Sequence, residues 1–177
     1  HRCQLPPAYA DRRSVAASSQ TVGVRQRKAE PVGWYAGGSE LSTGQTEGVP
    51  FRIASDQSGE GHAASDLLFS RLTLEEGVYR GDFTFAHALH RVTVVLSGNT
   101  DGAGIAVRSK LDGTLDLLSG EARVSEGDFG WIEPRCNADG SFEAIIFPQP
   151  ASPYRADEGL LKISANGKES FFRLRSS

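Results

Sequence analysis

Two histidines, His87 and His90, have a spacing that first suggests chemistry, because histidines close in sequence are common metal ligands. Three positions apart on a strand, however, two side chains point to opposite faces of the sheet. The flanking segments are rich in Phe, Thr and Val, which favours a strand over a helix. We therefore predict that His87 is a buried, hydrogen-bonded structural residue and not a metal ligand.

The acidic loops 56–60, 99–102 and 137–140 carry oxygen groups of the kind that bind calcium. None of them has the ligand spacing of an EF-hand loop, and ordinary turn chemistry accounts for their Asp, Asn, Ser and Gly residues. The sequence also contains no Gly-x-Ser-x-Gly elbow, phosphate loop or dinucleotide fingerprint. We predict no catalytic residue, no metal ligand and no bound cofactor, and hence a protein that is not an enzyme.

Trp34, Tyr35 and Trp131 are the aromatic residues best suited to ligand binding, because large flat rings stack on sugars. Large aromatic side chains also occupy the core or rim of many β-sandwiches. The sequence therefore leaves two interpretations for these three residues, a structural role or a ligand platform. The second would make the chain a carbohydrate- or host-ligand-binding module of the cell surface.

The composition describes an ordinary globular domain with no attraction to polyanions. The chain has 177 residues, a formal net charge of −3 and a pI of about 5.8, which gives no indication of nucleic-acid binding. No apolar run reaches the length of a membrane-spanning helix. Because the sequence starts at His1 and contains no methionine, we expect that a preceding segment was removed. The two cysteines, Cys3 and Cys136, are either bridged or two separate thiols.

Residues 1–30 differ from the rest, since they are rich in Arg, Pro, Ala and Ser and poor in apolar residues. This composition predicts a flexible terminus or a segment removed by proteolysis. Arg25, Arg27 and Lys28 form the candidate processing site, because they follow a short alternation through Val22 and Val24. Residues 31–177 then form the folded domain.

Short alternating segments separated by Gly-rich turns predict an all-β fold with little helix, an antiparallel β-sandwich. We expect an Asn166-Gly167 hairpin, a turn at Asp112-Gly113, a helical turn or two within 63–72, and a bulge or bend near His90–Arg91, where the alternation changes phase. Further strands are predicted at 103–110, 114–119, 141–147, 160–165 and 170–175. The predicted core residues are Phe83, Phe85, Val92, Val94, Ile146, Leu161 and Ile163.

Several short sequence motifs follow one another along residues 32–174. They are Asp56-Gln57-Ser58, Ser65-Asp66-Leu67-Leu68, Phe83-Thr84-Phe85-Ala86-His87-Ala88-Leu89 followed by Arg91-Val92-Thr93-Val94, and Pro148-Gln149. This series resembles the fimbrillin-like proteins of Bacteroides-group bacteria. The resemblance implies a transthyretin-like sandwich with no catalytic residues, His87 within a strand pair, and Asp66 near the start of a short turn or helix.

The same resemblance implies a role and partners. It suggests a structural and adhesive protein of the cell surface: a subunit, tip or anchor of a fimbrium (pilus), secreted as a lipoprotein and associated with the outer membrane. Its partners would be other pilin subunits, joined by strand exchange, with a host or bacterial surface ligand as a further partner. Nucleic acid is not expected, and membrane contact only through a lipid anchor outside this chain. Cleavage after Arg25, Arg27 or Lys28 would remove an N-terminal strand and open a groove for a donor strand.

Overall fold

The computed structural model describes residues 32–35, 46–72, 74, 80–98, 102–149 and 159–173. These residues form one short helix, α1 (Glu60–Ser65), and thirteen strands. The strands are β1 (Val32–Tyr35), β2 (Val49–Arg52), β3 (Leu68–Arg71), β4 (Ala86–His87), β5 (His90–Val94), β6 (Gly104–Lys110), β7 (Asp112–Leu115), β8 (Ala122–Val124), β9 (Phe129–Ile132), β10 (Arg135–Cys136), β11 (Phe142–Ile146), β12 (Leu161–Ala165) and β13 (Lys168–Phe172).

The strands pair in four groups, with the orders β1-β3-β4, β10-β11-β5, β13-β12-β6-β9 and β2-β7-β8. Every pair of named strands is antiparallel. β6 and β7 are nearly continuous along the chain and connect the last two groups, while β11 packs against β6 from the other layer. The predicted all-β antiparallel sandwich with little helix is confirmed.

The β12–β13 hairpin forms at Asn166-Gly167, as the sequence predicts. Both turn residues have left-handed backbone angles, with φ of 51° at Asn166 and 72° at Gly167. Asn and Gly tolerate these angles, and such a turn has a twist that matches the twist of the flanking strands. The register then places Leu161 opposite Phe172.

The turn predicted at Asp112-Gly113 is wrong, because both residues lie in strand β7. Glycine is required here for packing and not for a turn. A Cβ atom added to Gly113 would lie 2.3 Å from the Phe147 ring and 2.5 Å from the Arg123 carbonyl oxygen. The strand predicted at 114–119 ends early at Leu115, where Asp116 Oδ1 accepts the backbone N–H groups of Leu118 and Ser119.

The core fills the space between the layers and contains residues from most strands. β11 is its central element, since Ala144, Ile145 and Ile146 are all buried. A strand that is buried at consecutive positions must be covered on both faces. One side packs against the core of the sandwich, and α1 contacts the same strand. Val94 and Ile146 are buried as predicted, whereas Val92, Leu161 and Ile163 are half-buried.

Phe83 and Phe85, predicted to be buried, are exposed, and they precede β4 without belonging to a strand. Their rings lie 6.1 Å apart and pack over Gly33 of β1, where an added Cβ would be 3.4 Å from both rings. They therefore cover the outside of a small sheet and do not enter the core. Alternation alone could not distinguish these two locations.

The predicted bend occurs slightly earlier than expected, at 88–89, between β4 and β5. The two strands belong to different groups, so the change of phase marks a crossing between sheets. The predicted helical segment is also shifted, since α1 ends at Ser65 and Leu68–Arg71 is strand β3. Ser65 does not cap the helix: its hydroxyl donates to the Gly61 carbonyl and accepts the Ala54 N–H.

Candidate functional site

Two of the acidic loops form ordinary turns in which the carboxylate accepts hydrogen bonds from a serine two residues later in the chain. Asp56 Oδ1 accepts the Ser58 hydroxyl at 2.6 Å and the Ser58 N–H at 3.0 Å. Asp139 makes the same two contacts with Ser141. The serine hydroxyl, and then the backbone N–H, hold the pKa of each carboxyl below its ordinary value. Residues 99–101 of the third loop lie outside the described residues.

Within the described part of the chain, no group of three or more His, Cys, Asp or Glu residues could hold a metal ion. His87 Nδ1 lies 2.7 Å from Asp66 Oδ1, so the predicted hydrogen bond of His87 is confirmed. The prediction that His87 is buried is wrong: its side chain is 58% exposed. β4 is only two residues long and forms one edge of its sheet, so solvent reaches the ring. Asp66 stands at the end of α1 and not at its start.

A buried polar cluster that the sequence did not indicate lies between α1 and β11. Glu143 is buried, and its carboxylate lies 3.2 Å from His62 Nε2 and 3.1 Å from the Arg135 guanidinium. Asn137 also donates to it. The contact with His62 is not aligned as a hydrogen bond. Burial, followed by the charge of Arg135, lowers the pKa of His62 despite the attraction of Glu143.

The three residues of the predicted ligand platform do not come together. Trp34 and Tyr35 lie on β1, where Trp34 packs against the core and Tyr35 is exposed. Trp131 lies on β9, in a different sheet. A small cavity of about 10 Å³ adjoins Trp34, and its lining is mainly apolar, including Leu67, Phe69 and Leu115. A single platform formed by all three aromatic residues is therefore not present.

Trp131 instead belongs to a cluster on the outer face of the four-stranded sheet. Its ring centroid lies 6.0 Å from that of Phe171, 5.4 Å from Lys162 Nζ and 5.6 Å from the guanidinium carbon of Arg108. Phe129 is approached in the same way by Arg108 at 5.3 Å and by Lys110 at 5.8 Å. We call this group the aromatic–cation cluster; its members are Arg108, Lys110, Phe129, Trp131, Lys162 and Phe171.

Burial declines steadily across the inner face of the same sheet. Ile132 of β9 and Val107 of β6 are fully buried, Leu161 of β12 is half-buried, and Phe172 of β13 is 48% exposed. The register places these four side chains in one row on one face. The side chains on the inner face therefore become more exposed to solvent from β9 to β13.

The facing layer explains this decline. β9 and β10 are separated by only two residues, so β10 lies on the β9 side of the molecule. From this connection we infer that the order β10-β11-β5 runs from the β9 side toward β12, with β5 as its last strand. In the part of the chain that the structure describes, no strand pairs with the outer edge of β5. In this arrangement β13 extends beyond the described strands of the layer that faces it.

The candidate processing residues Arg25, Arg27 and Lys28 lie outside the described residues, as does Cys3. Cys136 on β10 is disulfide-bonded, a point that the sequence left open. No helix in the described ranges is both long and apolar enough to cross a membrane.

Comparison with known proteins yields one family and a set of similar structures. The family described as fimbrillin-like matches residues 34–177. A proposed cell adhesion protein from Bacteroides uniformis has a similar structure, with a TM-score of 0.59, 17% identity, and coverage of 84% of this chain and 59% of that one. A second, from Bacteroides ovatus, has a TM-score of 0.55, 19% identity, and coverage of 89% and 61%. The chain thus spans about three fifths of each neighbour. No curated protein matches it.

Proposed function

The chain belongs to the fimbrillin-like family, and on that basis we propose that it is a building block of bacterial fimbriae that assembles by accepting a β-strand from another subunit. The family makes it a structural, non-enzymatic protein associated with fimbriae and adhesion at the cell surface. Other fimbrial subunits are its partners, and a host or bacterial surface ligand is a further one. Association with the outer membrane through a lipid anchor, outside the chain shown, is part of the proposal.

The observation that supports strand acceptance is the exposed inner face of β13. An apolar side chain such as Phe172 is normally covered when it lies on the inner face of a sandwich. A strand added to the outer edge of β5 would extend the facing layer over β13. It would cover Phe172 together with the half-buried Leu161 and Ile163. The accepted strand would gain main-chain hydrogen bonds from β5 and burial of its apolar side chains against β13.

An open edge of this kind is a hazard for an isolated protein, because it pairs with other chains. We therefore propose that an N-terminal strand, containing Val22 and Val24, lies along the outer edge of β5 and covers the inner face of β13. Cleavage after Arg25, Arg27 or Lys28 would remove this strand. These residues carry the charge that a trypsin-like or arginine-specific protease recognises. Removal would expose the β5 edge and make the subunit competent to accept a donor strand.

Limited trypsin digestion followed by size-exclusion chromatography tests this proposal. We expect one early cut within 25–28, followed by conversion of the monomer to larger species that grow with protein concentration. An Arg25→Gln, Arg27→Gln, Lys28→Gln variant should resist the early cut and remain monomeric. Efficient cleavage that leaves a monomer of unchanged stability would contradict the proposal.

A further inference from the structure

Strand β13 ends the four-stranded sheet, and no strand pairs with its outer edge among the residues that the structure describes. Ala165 and Lys168 flank the two-residue turn before β13, so they exchange both of their main-chain hydrogen bonds. Hydrogen-bonded and non-hydrogen-bonded pairs then alternate along the hairpin. The main-chain groups of Glu169 and Phe171 therefore point away from β12, toward the open edge, and Arg173, directly after the strand, has the same parity.

These three residues carry a self-complementary pattern of charge. When two copies of β13 run antiparallel about a twofold axis at Phe171, Glu169 of each copy lies opposite Arg173 of the other. The two Phe171 side chains then also lie opposite each other, and both kinds of cross-strand pair are stabilising. An axis at Ser170 would place Glu169 opposite Phe171, and an axis at Glu169 would bring two carboxylates together. Of these three registers, the one centred on Phe171 pairs opposite charges.

The presence of both signs of charge distinguishes this edge from that of β5. Charged side chains on an edge strand usually prevent it from pairing with other chains. The ionisable residues of β5 are His90 and Arg91, which are both bases, so two β5 strands would gain no pair of opposite charges. Phe171 and Phe172 of β13 are 41% and 48% exposed, and a second β13 would cover part of both rings. We propose that the outer edge of β13 pairs with the same edge of a second copy of this chain, so that their four-stranded groups form one continuous antiparallel sheet.

The pairing is held by main-chain hydrogen bonds, and the ion pairs determine its register. Glu169 Oε1 lies 3.2 Å from Lys162 Nζ, and a carboxylate can accept a second cationic donor through its other oxygen. Glu169 can therefore keep its contact with Lys162 in the dimer. The contact is separate from the proposed strand acceptance, which uses the edge of β5 and the inner face of β13, and neither proposal depends on the other.

Sedimentation velocity of the full 177-residue chain tests the pairing. A contact confined to residues 169–173 buries little surface, and association should be weak. We expect a monomer at about 1 µM and a dimer that appears as the concentration rises to about 0.5 mM. The dimer should weaken as salt is added, because its ion pairs are exposed. A chain that stays monomeric up to about 1 mM would overturn the inference.

Charge reversal tests the register. Glu169→Arg sets two guanidinium groups against each other across the strands, and Arg173→Glu sets two carboxylates against each other, so each variant alone should dimerise at least about tenfold more weakly. An equimolar mixture of the two restores opposite charges at both positions and should form a heterodimer with about the affinity of the wild type. Glu60→Arg makes the same change of net charge on α1 and should leave dimerisation unchanged. A mixture that stays monomeric, or an equal loss in Glu60→Arg, would overturn the inference.

Discussion

The side-chain amide of Gln57 replaces a neighbouring strand for Ile145. Gln57 Oε1 accepts the Ile145 N–H at 2.8 Å, and Gln57 Nε2 donates to the Ile145 carbonyl at 2.9 Å. Strand β10 pairs with β11 only at Phe142 and Glu143. The fully buried Gln57 supplies the two hydrogen bonds that a longer β10 would have made. The Asp56-Gln57-Ser58 motif therefore has a structural role, which is to place the Gln57 amide against the main chain of β11.

Gln57→Leu should therefore destabilise the fold by about 2–4 kcal/mol, since it leaves two buried main-chain groups of Ile145 without partners. Urea denaturation measures this as a lower midpoint with an unchanged slope. Glu60→Gln, three residues away on the exposed start of α1, is the control and should change the free energy of unfolding by less than about 0.5 kcal/mol. A midpoint close to that of the wild type for Gln57→Leu would contradict this role.

Gly113→Ala should cost about 1–3 kcal/mol, because the new methyl group collides with the Phe147 ring and the Arg123 carbonyl in a packed core. Gly104 stands at the start of β6, the strand that precedes β7 in the sequence. An added Cβ there would have its nearest atoms at 4.0 Å, so Gly104→Ala should be tolerated. Thermal denaturation of the two variants provides the comparison. Similar melting temperatures for both would show that Phe147 can move aside at little cost.

The stability of the protein should fall as the pH decreases below about 6.5, the ordinary pKa of histidine. Because burial lowers the pKa of His62 in the folded state, the unfolded chain binds a proton first and is favoured as the pH falls through this range. Above the ordinary pKa His62 is neutral in both states and contributes no pH dependence. His62→Gln should flatten the profile of urea midpoint between pH 5 and pH 8, whereas His90→Gln at an exposed position should not. An unchanged slope in His62→Gln would assign the effect to other groups.

His87→Ala should cost less than about 1 kcal/mol, because an exposed histidine–carboxylate pair contributes little to stability. The sequence had suggested a larger loss from a buried hydrogen bond. Chemical denaturation of His87→Ala and Asp66→Ala should give similar small changes. A loss of several kcal/mol in His87→Ala would restore the interpretation of a buried residue.

Local turn chemistry and alternation predict much of this fold. Asn166-Gly167 determines its hairpin through the conformations that these two residues favour, so neighbouring residues suffice to predict it. The role of Gly113 could not be predicted from the sequence, because the ring that packs against it belongs to Phe147, which follows β11 and comes close only in the folded chain. Phe83 and Phe85 alternate as core residues do, yet they cover the outside of a small sheet over Gly33.

The candidate surfaces show the same limit. Trp131 is recognisable in the sequence as an aromatic residue suited to stacking. Its partners Lys162 and Phe171 reach it only because the sheet order places β9 and β13 on either side of β6 and β12. The pairing of His62 with Glu143 likewise depends on α1 packing against β11. Neither the aromatic–cation cluster nor the exposed inner face of β13 can be predicted from the spacing of residues along the chain.

The most direct test of strand acceptance compares Phe172→Ser with Phe171→Ser after trypsin treatment. These neighbours have similar exposure but lie on opposite faces of β13. Light scattering, with negative-stain electron microscopy of the products, measures assembly. We predict that the wild type and Phe171→Ser form multimers, while Phe172→Ser stays largely monomeric because the added strand loses its main apolar contact. Wild-type protein that remains monomeric, or Phe172→Ser that assembles as well as Phe171→Ser, would contradict the account.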